Sequence, residues 1–152
     1  MKGIDFNSGM HYLRNMNNNK DITAILSRSK NELSPLFARY PEIEAVYLFG
    51  STISGDAGST SDVDIAIRFT HELAPELCFD LRLKLMGDLE RYFARPTDIV
   101  VLNSASLKMI RQVLTHGFLL YALEPEKEHL YAVQKQKEYF DFKYYLNLWH
   151  IF

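Results

Sequence analysis

The stretch that most constrains the fold is 62-DVDIAIRF-69, in which every second residue is a large apolar one. A period of two predicts a β-strand with one apolar and one mixed face. The apolar face holds Val63, Ile65, Ile67 and Phe69, and the mixed face holds Asp62, Asp64, Ala66 and Arg68. Strand rise sets Asp62 and Asp64 about 6–7 Å apart on one face. Since like charges repel, the pair is either an exposed acidic turn or a site for a positive ligand.

The pattern along the chain predicts an α/β (α+β) domain, a small mixed β-sheet flanked by helices. Further strands are predicted at 43–50, 98–103 and 118–123, and helices at 75–93, from Ser104 or Ser106 to Gly117, and at about 126–147. Residues 1–20 are polar and predicted to be loosely ordered, whereas 21–152 form a single domain that ends in an aromatic helix and tail from about 126.

The first helix is predicted to begin at Asp21, which is a suitable N-cap. Pro35 is expected to interrupt it, because proline cannot donate the backbone hydrogen bond of a helix interior. Since Ser34-Pro35 also has the character of a cap and first turn, a second short helix is predicted to start there.

Composition disfavours several classes of protein. A net charge of −2 in 152 residues argues against a broad nucleic-acid surface, so no direct nucleic-acid binding is expected. No apolar run approaches the roughly 18 residues of a membrane span, and the N-terminus lacks the apolar core of a signal peptide. The single cysteine, Cys78, cannot form an internal disulfide, which fits a reduced, cytoplasmic setting.

A third carboxylate, Asp98, opens the strand that follows the 75–93 helix. If the two strands are neighbours, Asp98 can join Asp62 and Asp64. Clustered carboxylates need neutralisation, and Mg²⁺ prefers carboxylate oxygens together with substrate phosphates. Two such ions about 3.5–4 Å apart make the arrangement used in phosphoryl transfer. The structural alternatives are a solvated strand end for Asp-x-Asp and a cap for Asp98.

The loop before the aspartates begins with Gly50 and Ser51. Gly50 lets the backbone turn closely, and Ser51 offers a hydroxyl and an N–H to a phosphate, although alone the pair is only a strand-ending turn. A far more specific combination is formed when Gly-Ser is followed, after ten residues, by Asp-Val-Asp and later by an Asp that opens a strand. The combination resembles the DNA polymerase β type of nucleotidyltransferase, and more narrowly the minimal nucleotidyltransferase (MNT) family that partners HEPN-domain proteins in toxin–antitoxin pairs. The resemblance covers about residues 21–147, and it is carried by 47-YLFGS-51, Gly55, 61-SDVDIAI-67, 98-DIVVLN-103, 117-GFLLY-121 and 139-YFDFK-143.

The resemblance implies a role for each matching residue. Gly50 and Ser51 would hold the β- and γ-phosphates of ATP, and Asp62 and Asp64 would bind two Mg²⁺ ions. Asp98 would complete the metal site and help deprotonate the acceptor hydroxyl. The acceptor in the family is typically a tyrosine of the HEPN RNase toxin, which AMP addition silences.

This loop departs from many relatives, because 51-STISGDAGSTS-61 holds no basic residue and adds Asp56. Neutralisation of the triphosphate would then fall to Mg²⁺, to loop N–H groups and to Arg68, which follows the aspartates on their strand face. The alternative for Arg68 is a surface charge at the strand end.

The chain ends in the aromatic run 139-YFDFKYYLNLWHIF-152. No single helix face is wide enough to bury this set, so part of it faces something other than its own core. Either the tail wraps back over the domain, or it forms the surface that binds the HEPN partner.

Two other functions remain open at this point. A non-enzymatic antitoxin would neutralise its partner by binding alone. A small-molecule nucleotidyltransferase of the antibiotic-modifying type would need an acceptor pocket, for which 152 residues leave little room.

Overall fold

The computed structural model describes residues 19–54 and 62–149. Its helices and strands are, in chain order, α1 (Asn19–Phe37), β1 (Ile43–Phe49), α2 (Ser51–Ser54), β2 (Val63–Phe69), α3 (Pro75–Phe93), β3 (Thr97–Val101), a 3₁₀ turn (Leu102–Ser104), α4 (Leu107–His116), β4 (Phe118–Ala122) and α5 (Pro125–Leu148). The predicted strands and the helices after α2 are confirmed, with ends that differ by at most two residues. The lead-in was predicted at 1–20, of which residues 1–18 lie outside the described residues. Asn19 and Lys20 already belong to α1, which therefore begins two residues before the predicted start at Asp21.

The four strands form one mixed sheet in the order β3-β2-β1-β4. β1 is antiparallel to both β2 and β4, whereas β2 and β3 are parallel. A parallel pair needs a crossover connection, which α3 supplies. The N-terminal ends of β2 and β3 and the C-terminal end of β1 therefore meet at one edge of the sheet.

Helices cover both faces of this sheet. The apolar face of β2 packs with α1 and α3 in the larger core, where Leu33, Phe37 and Leu85 are fully buried. The mixed face lies under α4 and α5 in a smaller core that includes Tyr47, Ala66 and Val113. This arrangement confirms the predicted fold class and both predicted faces of β2.

The predicted interruption at Pro35 is wrong, because α1 continues through it to Phe37. Proline removes the hydrogen bond that an N–H at its position would donate to the Asn31 carbonyl. Leu36 and Phe37 are 2% and 0% exposed, and burying such side chains contributes about 1.5–3 kcal/mol each. Core packing thus holds the last turn in helical form.

None of the helices in residues 19–54 and 62–149 has both the length and the apolar character to cross a bilayer.

Candidate active site

Asp64 and Asp98 are paired residues on the parallel strands β2 and β3. Neighbouring strands lie about 4.8 Å apart, so the two carboxylates start from adjacent points of one sheet edge. Asp62 stands just before β2 and is exposed, as is Asp98, whereas Asp64 is half-buried. The proximity predicted for Asp98 is therefore confirmed, and all three aspartates belong to the same edge.

The pKa of Asp64 reflects the closeness of the three carboxylates. Burial raises the pKa of the Asp64 carboxyl, and the negative charges of Asp98 and Asp62 raise it further. All three causes disfavour the ionised form. A cation at this edge would oppose them, since it would favour the carboxylate.

Gly50 lies close to the same carboxylate. Its φ of +77° lies in the left-handed region, and a Cβ placed on it would stand 2.2 Å from Oδ2 of Asp64. Both the backbone conformation and the close approach therefore require glycine. Ser51 follows directly and opens the single turn α2, in which the N–H of Ile53 donates to the Gly50 carbonyl at 3.1 Å. The structure thus brings Gly50 and Ser51 to the aspartate edge.

Thr52 is a site neighbour that the sequence pattern did not reveal. Its side chain is fully buried, and its hydroxyl oxygen has no hydrogen-bond partner among the described residues. A threonine after Gly-Ser carries no signal of burial, because burial depends on how the loop packs.

Arg68 is not brought to the aspartates. It lies four positions from Asp64 along β2, which is about 13 Å. Its guanidinium, whose side chain is 13% exposed, donates to the buried carboxylate of Glu128 and lies 4.0 Å from Glu44 and 4.1 Å from the ring centre of Tyr131. A buried carboxylate needs a cation, and Arg68 supplies it. Its predicted role in nucleotide binding has no support from these contacts.

Glu128 also accepts a hydrogen bond from the Tyr47 hydroxyl. It is 3% exposed and is the buried residue that fixes the start of α5 to the sheet. Burial and this hydrogen bond raise the pKa of Tyr47 above its usual range. Sequence reasoning missed Glu128, because it sits in the charged run 126-EKEH-129, where nothing distinguishes it from solvated neighbours.

The oxygen donors at this edge bear on the implied Mg²⁺. Across the described stretches, no three His, Cys, Asp or Glu side chains converge on one position that could hold a metal ion. Mg²⁺ is usually bound through one or two carboxylates plus waters and substrate phosphates, so a complete protein cage is not required. The oxygen donors at one edge and the unopposed repulsion at Asp64 fit such an ion.

The family model for polymerase beta nucleotidyltransferases matches residues 31–126, which include Gly50, Ser51 and all three aspartates. This chain belongs to the polymerase beta nucleotidyltransferase family. Over 94 residues this nucleotidyltransferase is 34% identical to the protein adenylyltransferase MntA of Shewanella oneidensis. That alignment covers 62% of the chain and 64% of MntA, slightly less than two thirds of the relative.

Solved toxin–antitoxin structures share the fold of this nucleotidyltransferase. A toxin–antitoxin complex with AMP-PNP matches with a TM-score of 0.62 and 29% identity, covering 78% of this chain and 93% of that one. The MNT antitoxin complexed with the tri-AMPylated HEPN toxin of Shewanella oneidensis matches with a TM-score of 0.58 and 27% identity, over 81% and 93% of the two chains. The resemblance inferred from the sequence is confirmed.

Proposed function

We propose that this nucleotidyltransferase is the antitoxin of a HEPN/MNT pair and moves AMP from ATP to a tyrosine hydroxyl of its HEPN toxin. The pairing of Asp64 with Asp98, at the edge that also holds Asp62 and Gly50, carries this proposal. The relatives named above, an adenylyltransferase and antitoxins complexed with HEPN toxins, support the substrate and the partner.

The chain's own groups would divide the reaction between them. Backbone N–H groups at Gly50 and Ser51, and the Ser51 hydroxyl, would hold the β- and γ-phosphates. Asp98, exposed at the edge, would accept the proton of the tyrosine hydroxyl as that oxygen attacks the α-phosphorus. A bond forms between the tyrosine oxygen and the α-phosphorus. The bond between the α-phosphorus and the oxygen that bridges to the β-phosphate breaks, and pyrophosphate leaves. Two Mg²⁺ ions held by Asp62, Asp64 and Asp98 would supply charge neutralisation for both oxygens.

The exposed end of α5 is the surface we assign to the partner. Within this end, six large apolar side chains are 48–74% exposed: Phe140, Phe142, Tyr144, Tyr145, Leu148 and Trp149. Tyr139 and Phe140 contact Arg111 of α4, whereas the large side chains Phe142, Tyr144, Tyr145, Leu148 and Trp149 are exposed and do not fold back over the domain. Contiguous exposed aromatic surface is typical of protein interfaces.

The direct test is transfer of label from ATP carrying a radioactive α-phosphate to the cognate HEPN protein in the presence of Mg²⁺. We expect label on the toxin and, by peptide mass spectrometry, AMP on a tyrosine. Asp64→Asn should abolish labelling, and Asp80→Asn, which makes the same change on the exposed side of α3, should not. Undiminished labelling by Asp64→Asn would contradict the proposal.

Neutralisation by binding alone is the second candidate, and the exposed aromatic end of α5 is the observation that favours it. It predicts that a double Asp62→Asn, Asp64→Asn variant still protects cells from the toxin. Loss of protection in that variant, with the complex still formed, would exclude it.

A further inference from the structure

A polar groove of about 320 Å³ lies between α4 and α5 and includes none of the residues assigned to adenylyl transfer. Its lining comprises Lys108, Arg111, Gln112, Thr115, His116 and Tyr139. The five α4 residues form two neighbouring rows of four-residue spacing, Lys108, Gln112 and His116 in one and Arg111 and Thr115 in the other, so they share one face of that helix. The volume is at the small end of ligand sites, which suits one small molecule.

The side chains that line this groove are hydrogen-bond donors and bases. Every side chain in it can donate a hydrogen bond, and no carboxylate is among them. Lys108, Arg111 and His116 form no ion pair with any carboxylate in the described part of the chain, whereas Lys127 and Lys135 each do. Because acidic residues outnumber basic ones, 19 to 17, a carboxylate-free cluster of bases is a local feature of this groove.

Arg111 is held in place by aromatic rings. Its guanidinium carbon lies 4.1 Å from the ring centre of Tyr139 and 5.1 Å from that of Phe140. Such stacking fixes the planar fork while leaving its N–H groups free to bind an anion, and the guanidinium geometry matches phosphate oxygens. Tyr139 also lines the groove, so aromatic surface and phosphate donors are offered together.

The groove extends away from the aspartate edge. His116 is followed by Gly117, where an added Cβ would stand 3.2 Å from the Leu48 carbonyl, two residues before Gly50. Lys108 lies eight residues earlier on α4, which is about 12 Å along the helix. A ligand held by Lys108 and Arg111 would therefore lie apart from the aspartate edge.

We propose that this groove binds a mononucleotide, with its phosphate on Lys108 and Arg111 and its base against Tyr139. The site is independent of the adenylyl-transfer proposal, because it shares no residue with it.

The test is binding of AMP carrying a fluorescent group on its ribose, followed by anisotropy in buffer with EDTA so that Mg²⁺-dependent binding is suppressed. We expect Lys108→Ala and Arg111→Gln each to weaken binding about tenfold, the effect of losing one charge-assisted hydrogen bond. Lys84→Ala, which removes an exposed lysine from α3, should leave it unchanged. Lys108 is exposed, so its substitution keeps the test valid if Arg111→Gln disturbs packing.

Asp64→Asn separates the two proposals, since it should abolish transfer and leave AMP binding in EDTA unchanged. Three outcomes would overturn the groove proposal. They are binding that survives both groove substitutions, competition by inorganic phosphate as strong as that by AMP, and an oligoadenylate that binds tenfold more tightly than AMP. The last result would assign the groove to a nucleic-acid strand instead.

Discussion

Asp64 lies directly beside Asp98 across the parallel strands β2 and β3, and the pKa of Asp64 is raised by burial and then by this neighbour. A carboxyl whose pKa is higher in the folded state contributes its full stabilisation below its unfolded pKa, near 3.8. That contribution is lost as pH rises through the folded pKa, so the ionised carboxylate destabilises the folded state at neutral pH.

Asp64→Asn should therefore stabilise the protein at pH 7 in the absence of metal. We expect a gain of up to about 1 kcal/mol, because partial solvation screens the repulsion. Denaturant unfolding at pH 7 and below pH 4 measures it, and the gain should disappear at the acid pH. An equal gain at both pH values would contradict an electrostatic origin.

Asp98→Asn should lower the rate of AMP transfer by about 10²–10⁴-fold, the range for loss of a general base. Asparagine keeps the size of the side chain but cannot accept the proton, so the folded structure should persist. Single-turnover labelling of the toxin measures the rate, with Asp80→Asn as the charge-matched control. A rate within twofold of the unmodified protein would remove Asp98 from the mechanism.

Gly50→Ala should both destabilise the domain and impair transfer. The added methyl group would stand 2.2 Å from Oδ2 of Asp64, and alanine disfavours the φ of +77°. We expect a loss of at least about 1 kcal/mol in urea unfolding. Gly87→Ala is the matched control, since no atom lies within 4 Å of its added Cβ and it sits inside α3. That change should stabilise by about 0.5–1 kcal/mol.

Glu128→Ala should cost about 3 kcal/mol, because it leaves the buried guanidinium of Arg68 and the hydroxyl of Tyr47 without their shared acceptor. Urea unfolding measures the loss. The nearby Glu126→Ala removes an exposed carboxylate from the same first turn and should cost less than about 1 kcal/mol. Similar losses for the two variants would show that the buried cluster contributes little.

Replacing Phe142 and Tyr145 by serine should weaken the complex with the HEPN toxin about tenfold or more. Both side chains are more than half exposed, so the stability of the free protein should change by only about 0.5 kcal/mol. Calorimetric titration measures the affinity. Phe79→Ser, at an apolar side chain of α3 that is 59% exposed, is the control for a non-specific effect. Equal weakening by the control would contradict an interface on α5.

Local periodicity predicted most of the secondary structure. The alternation at 62–69 defined β2 and its two faces, because side-chain direction in a strand follows from backbone geometry alone. The helical spacing at 75–93 likewise predicted α3 with its observed bounds. Pro35 does not end α1, since the burial of Leu36 and Phe37, which local sequence does not encode, outweighs its penalty.

The sequence by itself determined the Gly-Ser turn, the placement of Asp62 and Asp64 on one face of a strand, and the family. Only the tertiary structure decided that Asp98 pairs with Asp64, because strand order is not written in local spacing. It also decided the partner of Arg68, a carboxylate 60 residues away on α5. The physical reason is the same in both cases: a charge acts on whatever the packing of distant segments places beside it, and burial sets how strongly it acts.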